Sequence, residues 1–424
     1  MPTIDTDFSR RRFMERFAKS FLGVGIGGLA GRVSAAPPAG GRAKQVIAIY
    51  LRGGISHVDT FDPKPGRPEM AGVEAIATSA DGVQVGAWFP KLARQMHHVA
   101  LVRSMTSTQG VHDRGAYLAQ TSYFQTPTIA HPSLGTWTLK KLGTVNPLLP
   151  GFVLVNGSPQ HPGSGYMESH LSPLPIIDPS AGLQNSTVLR GVAPADFARR
   201  DALVQALSSR FSSRTKNRTV AAYAKIHEEA VDLMRSKDLA AFDISREPAS
   251  VAAAYGPHTF GKGCLLARRL IEHGVRFVEV TDEHNWDTHN DHVVQMEQMT
   301  PSTDQSLAAL LADLHDRGLL GTTLVVLTTE FGRTPEINPV TAGRGHHPGA
   351  FTWWLAGGGI KGGVVHGASD ATGTRVADKP VTMPDFNATV ARALGIDLES
   401  KELSPSGRPF TIANDGKPVM ELFA

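Results

Sequence analysis

The feature of this sequence that most constrains its fold is the alternation of short apolar segments with amphipathic ones. The apolar segments are rich in β-branched residues and end at glycine or polar residues, which is typical of buried strands. The predicted strands cover 45–51, 99–104, 276–281, 322–329 and 350–356, and the predicted helices cover 258–274, 300–318 and 385–394. Strands that alternate with helices form a mostly parallel sheet with helices on both faces. The sequence therefore predicts a three-layer α/β fold.

Composition limits the class of protein. Of the 424 residues, 41% are hydrophobic and 19% are charged, which is the balance of a globular chain with a sizeable core. This excludes an intrinsically disordered chain and a polytopic membrane protein. The single cysteine, Cys264, excludes a disulfide framework, and the 17 histidines favour nitrogen and oxygen ligands for any metal. We predict one domain over 37–424, in which the Pro-, Ser- and Gly-rich residues 156–215 form a cap or insertion.

The N-terminal 36 residues have the organisation of an export signal. A basic segment precedes an apolar, glycine-rich run of about eleven residues, which is well below the ~20 needed to cross a bilayer. Ser9-Arg10-Arg11-Arg12-Phe13 resembles the twin-arginine motif of the bacterial Tat route. We therefore expect a Tat-type signal peptide over 1–36 and a periplasmic or secreted protein. A disordered basic terminus is the alternative.

The positive charge of the chain lies in this leader. Residues 1–36 carry six basic and three acidic side chains, a net charge of +3 that equals the net charge of the whole chain. The residues after Ala36 therefore sum to about zero, which gives no electrostatic argument for nucleic acid or an anionic membrane as a partner. We expect no nucleic-acid partner and no integral membrane span, and the oligomeric state stays open.

Acids and histidines cluster where predicted strands end. In a parallel sheet, ligands bind beyond the carboxyl ends of the strands. The side chains found there are His57 and Asp59, then Asp287 and His289, then Glu330, and lastly His346 and His347 in a glycine-rich loop. Carboxylates and neutral imidazoles suit zinc, manganese or iron, so we predict a divalent metal site. Loop hydrogen bonds and solvated surface charge are the alternative roles.

Four further side chains are candidates for catalysis. Thr108 and His112 lie where a helix is predicted to begin, and a helix N-terminus is well placed to meet an anion. A simple helix cap is the alternative. Arg333 and Arg344 could hold an anionic oxygen, or Arg333 could pair with Glu330 three residues before it.

Taken in order, these motifs resemble those of the exported proteins of the domain of unknown function 1501 family. The most specific pieces are RGGISHVDTFDPKP, WDTH, TEFGRTP and AGGGIKGGVVHGASD, and the resemblance covers nearly the whole chain after the leader. It implies an alkaline phosphatase-like fold with one or two divalent metals at the carboxyl ends of a parallel sheet. It also implies transfer of phosphoryl or sulfuryl groups, although a fold alone does not establish its chemistry.

Two positions depart from the pattern that the resemblance implies. Glu330-Phe331 stands where superfamily phosphatases carry an Asp-His pair, and Gly345 stands where an acid is expected before His346. No residue lies in a sulfatase-type Cys/Ser-x-Pro-x-Arg sequence, so a formylglycine sulfatase is excluded. No GxSxG motif marks a strand-to-helix turn, which argues against an α/β-hydrolase.

Together, these features predict an exported, metal-dependent hydrolase that acts on a phosphate or sulfate ester of a small molecule or glycan. The expected metal ligands are His57, Asp59, Asp287, His289, Glu330 and His346 or His347. Arg333 and Arg344 would stabilise developing charge, and His112 would be a general acid/base or an additional ligand. The sequence does not distinguish zinc, manganese, iron and calcium. The alternative is a non-catalytic envelope protein that keeps the fold with a degenerate metal site.

Overall fold

The computed structural model describes residues 41–188, 190–215 and 218–424. The signal peptide predicted over 1–36 lies outside the described residues. The strands of the main sheet are β1 (Gln45–Tyr50), β2 (Val99–Thr106), β3 (Phe152–Val155), β4 (Leu174–Ile176), β5 (Phe277–Thr281), β6 (Thr323–Thr328), β7 (Phe351–Gly357), β8 (Val364–His366) and β9 (Val381–Thr382). The helices are α1 (His112–Thr121), α2 (Leu134–Leu142), α3 (Pro194–Thr215), α4 (Arg218–Arg235), α5 (Ala249–Tyr255), α6 (Thr259–Glu272), α7 (His292–Asp316) and α8 (Met383–Ala393).

Shorter elements lie in the connections. The 3-10 helices cover Pro68–Met70, Leu92–His98, Ser169–Leu171, Lys237–Phe242, Ile244–Arg246 and Met420–Leu422. Four antiparallel strand pairs join Ala75–Ala77 to Gln84–Gly86, Gly332–Arg333 to His346–His347, Ala368–Ser369 to Val376–Asp378, and Glu402–Leu403 to Pro409–Phe410.

The main sheet is mostly parallel, as the sequence predicts. Its strand order is β8-β2-β7-β6-β1-β5-β3-β4, and β9 pairs with β2. Strand β1 is parallel to both of its neighbours, β5 and β6. Strand β7 is antiparallel to β2 and β6. The remaining pairs are parallel, so β7 alone reverses the direction of the sheet within the described residues.

Helices cover both faces of this sheet, which confirms the predicted α/β fold. Successive side chains of a strand point to opposite faces. On β1, Ile47 and Ile49 pack in one core with residues of α6 and α7. Val46 and Ala48 pack in a second core with residues of α2 and α8. The two cores separate three layers, with the sheet in the middle.

The register of the central strands decides where the site lies. Tyr50, the last residue of β1, lies opposite Thr281 of β5 and Thr328 of β6. All three strands run in the same direction and end at one level, so the loops that follow them meet at the same edge of the sheet.

The helix predicted to begin at Thr300 in fact begins at His292, and this part of the prediction was wrong. Pro301 lies inside α7. Met296 and Met299, which precede the proline, are buried in the same core as Leu307. Packing of this face against the sheet therefore outweighs the local preference of proline for a helix start.

The segment 156–215, predicted to be a cap or insertion, contributes the edge strand β4 and the long helix α3. That this segment forms a cap or insertion distinct from the main fold stays a prediction. Among the helices of the described residues, none is both long enough and apolar enough to cross a membrane.

Candidate metal centre

Three loops at the carboxyl edge of the sheet bring their side chains together. Residues 282–291 follow β5 and carry Asp287, and residues 329–333 follow β6. The short strand pair that follows aligns His346 with Arg333. The start of α1 brings His112 to the same place, since its Nδ1 lies 2.7 Å from Glu330.

Asp287 is the centre of this cluster. Its Oδ1 lies 3.1 Å from Nε2 of His289 and 3.3 Å from Nε2 of both His112 and His346. Nε2 of His289 and Nε2 of His346 are 3.0 Å apart. Two ligand atoms of a tetrahedral zinc site, each ~2.0–2.1 Å from the ion, are separated by about 3.3 Å. The spacing is therefore that of atoms able to share one cation.

His112, Asp287 and His346 form a triad whose ligand atoms all lie within 4.8 Å of one another. All three side chains are partly exposed. His289 lies beside this triad and is about half exposed. The cluster is therefore open to solvent on the His289 side.

Hydrogen bonds fix the tautomers of two imidazoles. Nδ1 of His112 faces the carboxylate of Glu330, and Nδ1 of His346 lies 2.8 Å from the carbonyl oxygen of Gly110. Both partners are acceptors, so in the neutral imidazole each Nδ1 carries the proton and each Nε2 keeps its lone pair on the side of Asp287. Nε2 of His112 is buried and has no hydrogen-bond partner among the described residues. A lone pair buried in this way fits a cation better than it fits a hydrogen-bond network.

Glu330 lies behind His112. Its Oε1 accepts the N–H of Gly53 at 2.6 Å, and its Oε2 accepts the hydroxyls of Tyr50 at 2.9 Å and Thr329 at 3.3 Å. With the bond to His112, four donors surround this buried carboxylate. The geometry makes Glu330 the group that orients an imidazole, and such carboxylate–histidine pairs accompany metal-ligating histidines.

The charges of the cluster suit a cation. Burial opposes ionisation of Asp287, but the guanidinium of Arg333 and its hydrogen bond hold the pKa of that carboxyl below its usual value. Burial lowers the pKa of His289, and the opposing effect of Asp287 does not restore it. The hydrogen bond that His112 donates to Glu330 raises the pKa of His112 against the effect of burial. Near neutral pH, Asp287 is therefore ionised and a cation would compete with a proton at His112.

Arg333 is fixed by the protein itself. It is fully buried, donates to the carbonyl oxygens of Gly53, Gly54 and Arg344, and contacts Oδ1 of Asp287. Its ion-pair partner is Asp287 and not Glu330, the partner that sequence proximity suggested.

Asp59 and Arg344 form a second group with its own contacts. Both are buried, and Arg344 Nη2 donates to Oδ1 of Asp59 at 2.8 Å. Nε2 of His292 lies 2.8 Å from Oδ2 of Asp59, and its Nδ1 lies 2.7 Å from the hydroxyl of Thr288. Burial opposes ionisation of Asp59, but His292 and then Arg344 hold its pKa below the usual range. Both charged groups are thus matched within the protein.

His57 and His347 form a third group. Their rings stack with centroids 6.2 Å apart. Nε2 of His57 lies 2.7 Å from the carbonyl oxygen of Gly373, and Nε2 of His347 lies 2.7 Å from that of Thr374. Burial lowers the pKa of His57 to about 4. Both imidazoles therefore hold the 373–374 loop, and neither hydrogen-bonds to the residues around Asp287.

Thr108 is exposed, and its hydroxyl contacts only the side chain of Gln109, at 3.5 Å, among the described residues. Of the residues predicted to form the site, the structure thus brings together Asp287, His289, His346, His112, Glu330 and Arg333. It places His57, Asp59, His347, Arg344 and Thr108 elsewhere.

Sequence reasoning missed two contributors to the cluster. The carbonyl oxygen of Gly110 fixes the tautomer of His346, and no sequence signal marks a backbone acceptor. The ring of Phe331 packs against His112 at 5.0 Å and His346 at 4.6 Å between centroids. Its position directly after Glu330 was the available signal.

Residues 43–423 match the sequence profile of the family described as "Protein of unknown function (DUF1501)". The chain belongs to the DUF1501 family. This confirms the resemblance drawn from the motifs. No curated protein matches this DUF1501 chain.

Solved structures resemble it at low identity. The PsFucS1 sulfatase from Pseudoalteromonas sp. is 13% identical, with 89% of this chain and 73% of that chain covered and a TM-score of 0.41. A protein in the alkaline phosphatase superfamily from Vibrio parahaemolyticus is 11% identical, with 92% and 72% covered and a TM-score of 0.40. The phosphonate monoester hydrolase SpPMH from Silicibacter pomeroyi is 12% identical, with 89% and 76% covered and a TM-score of 0.39. All three TM-scores lie below 0.5, so these similarities are distant.

In this DUF1501 chain, Phe331 fills the position where the resemblance led us to expect a histidine. It supplies an apolar wall to the cluster and no ligand atom. The ligand set available at this edge of the sheet is therefore the triad of His112, Asp287 and His346, with His289 beside it.

Proposed function

We propose that this protein is a hydrolase that depends on one divalent metal ion and cleaves a phosphate or sulfate ester. His112, Asp287 and His346 would hold the ion, and His289 would complete its shell. The observation that carries the proposal is the convergence of the Nε2 atoms of two imidazoles on an ionised carboxylate, one of these nitrogens being buried without a hydrogen-bond partner among the described residues. Imidazole-rich shells favour zinc, manganese or iron over calcium.

A bound divalent ion would polarise the ester and lower the pKa of a coordinated water towards ~7. The protein's own groups have separate tasks. Glu330 keeps the proton of His112 on Nδ1, and Gly110 does the same for His346. Arg333 holds Asp287 in its ionised form and fixes its position. Asp59, His57, His347 and Arg344 are proposed to support the loops that carry the ligands.

The nucleophile in this proposal is water. No hydroxyl side chain of a described residue hydrogen-bonds to His112, Asp287, His289 or His346, and Thr108 faces solvent. A covalent phosphoryl- or sulfuryl-enzyme would need such a hydroxyl within reach of the ion.

The same observation favours a second candidate, a non-catalytic envelope protein that uses the cluster to hold a metal or bind a ligand. A single experiment distinguishes these two candidate functions. Purified protein is analysed for bound metal, stripped with a chelator, reloaded with zinc, manganese or iron, and assayed against aryl phosphates, phosphonates and sulfates. Metal-dependent hydrolysis that is lost in Asp287→Asn supports the hydrolase.

About one equivalent of metal without hydrolysis of any ester supports the binding protein. Absence of metal binding in the reloaded protein contradicts the hydrolase and any metal-holding role of the cluster. His98→Gln is the matched control, because His98 lies in the His97, His98 and His315 group outside the cluster.

We also propose that residues 1–36 direct export by the Tat route, with a periplasmic or secreted location for the mature protein. The support is the motif at residues 9–13. A reporter fused behind these residues should be exported, and replacement of Arg11 and Arg12 by lysine should retain it in the cell. Export of the double variant at the unaltered rate would contradict the Tat assignment.

A further inference from the structure

The outer face of helix α3 carries an apolar stripe that lies in contact with solvent. Leu203, Leu207 and Phe211 are four residues apart, which places them along one side of the helix. They are 60%, 58% and 55% exposed. Single exposed apolar side chains are ordinary, but a continuous stripe of large ones marks a surface that binds something.

Arginines are interleaved with this stripe. Arg200, Arg210 and Arg214 are exposed, and each lies three residues from one of the apolar side chains, Leu203, Leu207 and Phe211 respectively. Residues three apart are neighbours on a helix surface. Three apolar side chains and three guanidinium groups therefore share one face.

The acids of α3 do not neutralise this face. Asp201 is buried on the opposite side, where its carboxylate contacts His227 at 3.2 Å and Arg235 at 3.0 Å, both on α4. Asp196 pairs with Arg199. The outer face is therefore positively charged, although the chain after the leader has a net charge near zero. A total charge near zero does not exclude a local positive patch on one face of a helix.

We propose that the outer face of α3 docks onto an anionic phospholipid surface. A bilayer presents phosphate groups just above acyl chains, which matches guanidinium groups set beside leucine and phenylalanine. Arginine can keep its charged end at the phosphates while its aliphatic stem covers apolar surface. A second copy of the chain is a poorer occupant, because a symmetric contact would place these arginines against their own copies. The proposal does not depend on the metal centre.

The test is co-sedimentation of the full chain with vesicles of phosphatidylcholine alone or mixed with phosphatidylglycerol. Three arginines near an anionic surface predict partition into the mixed vesicles on the order of 100-fold stronger at low salt, weakening as salt rises. Arg200→Gln/Arg210→Gln/Arg214→Gln should remove this preference. Leu203→Ser/Leu207→Ser/Phe211→Ser should weaken binding to the mixed vesicles.

The control variants keep residues 1–36 and change exposed residues outside α3. Arg94→Gln and Val340→Ser should bind the vesicles as the unaltered chain does, and circular dichroism should show that every variant is folded. Equal vesicle binding by the α3 variants and the unaltered chain would overturn the proposal, since binding would then arise elsewhere, such as in the leader. So would a dimer in sedimentation equilibrium that dissociates in the apolar variant, because the occupant would then be a second copy.

Discussion

Asp59 and Arg344 lie 285 residues apart in the chain and form a fully buried ion pair, with Nη2 of Arg344 2.8 Å from Oδ1 of Asp59. Arg344 precedes His346 by two residues, and Asp59 also contacts His292 at the start of α7. The pair therefore joins the segment that follows β1 to the loop that carries His346, a member of the candidate metal centre. Loss of this ion pair should lower the free energy of unfolding and weaken metal binding.

Asp59→Asn should lower the free energy of unfolding by about 3–5 kcal/mol, because it leaves the buried guanidinium of Arg344 without its counter-charge. Urea denaturation measures this. The control is Glu229→Gln, which breaks the exposed pair with Lys225 and should cost less than about 1 kcal/mol. A loss in Asp59→Asn no larger than that of the control would show that the buried pair does not stabilise the fold.

Glu330→Gln should weaken metal binding by about 10- to 100-fold, the usual cost of losing a group that orients a metal-ligating histidine. The buried carboxylate accepts from Gly53, Tyr50 and His112, and an amide would set one of its own N–H groups against these donors. Competition with a chromophoric chelator measures the affinity. The exposed Glu336 provides the control, since Glu336→Gln should bind metal as the unaltered protein does.

Added zinc should raise the melting temperature, because a ligand that binds only the folded state stabilises it by about 2.7 kcal/mol at 100 times its dissociation constant. His112→Gln and His346→Gln should abolish the rise, since each removes an imidazole nitrogen of the proposed metal triad. Differential scanning calorimetry with and without zinc makes the comparison. If the rise persists in both variants but disappears in His98→Gln, the metal binds at the His97, His98 and His315 group and not at the proposed triad.

Stability should fall as the pH drops from about 6.5 to about 4, and His57 should account for part of the loss. Its pKa is about 4 in the folded protein because of burial, against 6.5 for an exposed histidine. Between these values the unfolded chain binds the proton and the folded one does not, so acid favours unfolding. The difference corresponds to about 3 kcal/mol, fully retained above pH 6.5.

His57→Asn should flatten the dependence of unfolding free energy on pH in this window, since the asparagine amide can donate to Gly373 without titrating. His258→Gln, which replaces an exposed histidine away from the 373–374 loop, is the control. Parallel curves for His57→Asn and the unaltered protein would show that His57 binds its proton equally well in the folded and unfolded states.

Much of the fold could be predicted because its signals are local. The runs at 45–51 and 322–329 are short and rich in β-branched residues, which favours buried strands over helices, and both became central strands. The helix containing Leu307 was correct in type and wrong in its start. Whether Pro301 begins a helix or lies within one depends on how Met296 and Met299 pack in the core. The local sequence carries no information about that packing.

The sequence by itself determined the residue types at the strand ends, the family and the layered architecture. Only the tertiary structure decided which of those side chains meet. Asp59 faces Arg344, His57 faces Gly373 and Glu330 faces His112, across 285, 316 and 218 residues respectively. A strand end places a side chain at an edge of the sheet, but its direction follows from the buried donors and acceptors that distant loops bring to it. Those partners exist only once the chain has folded.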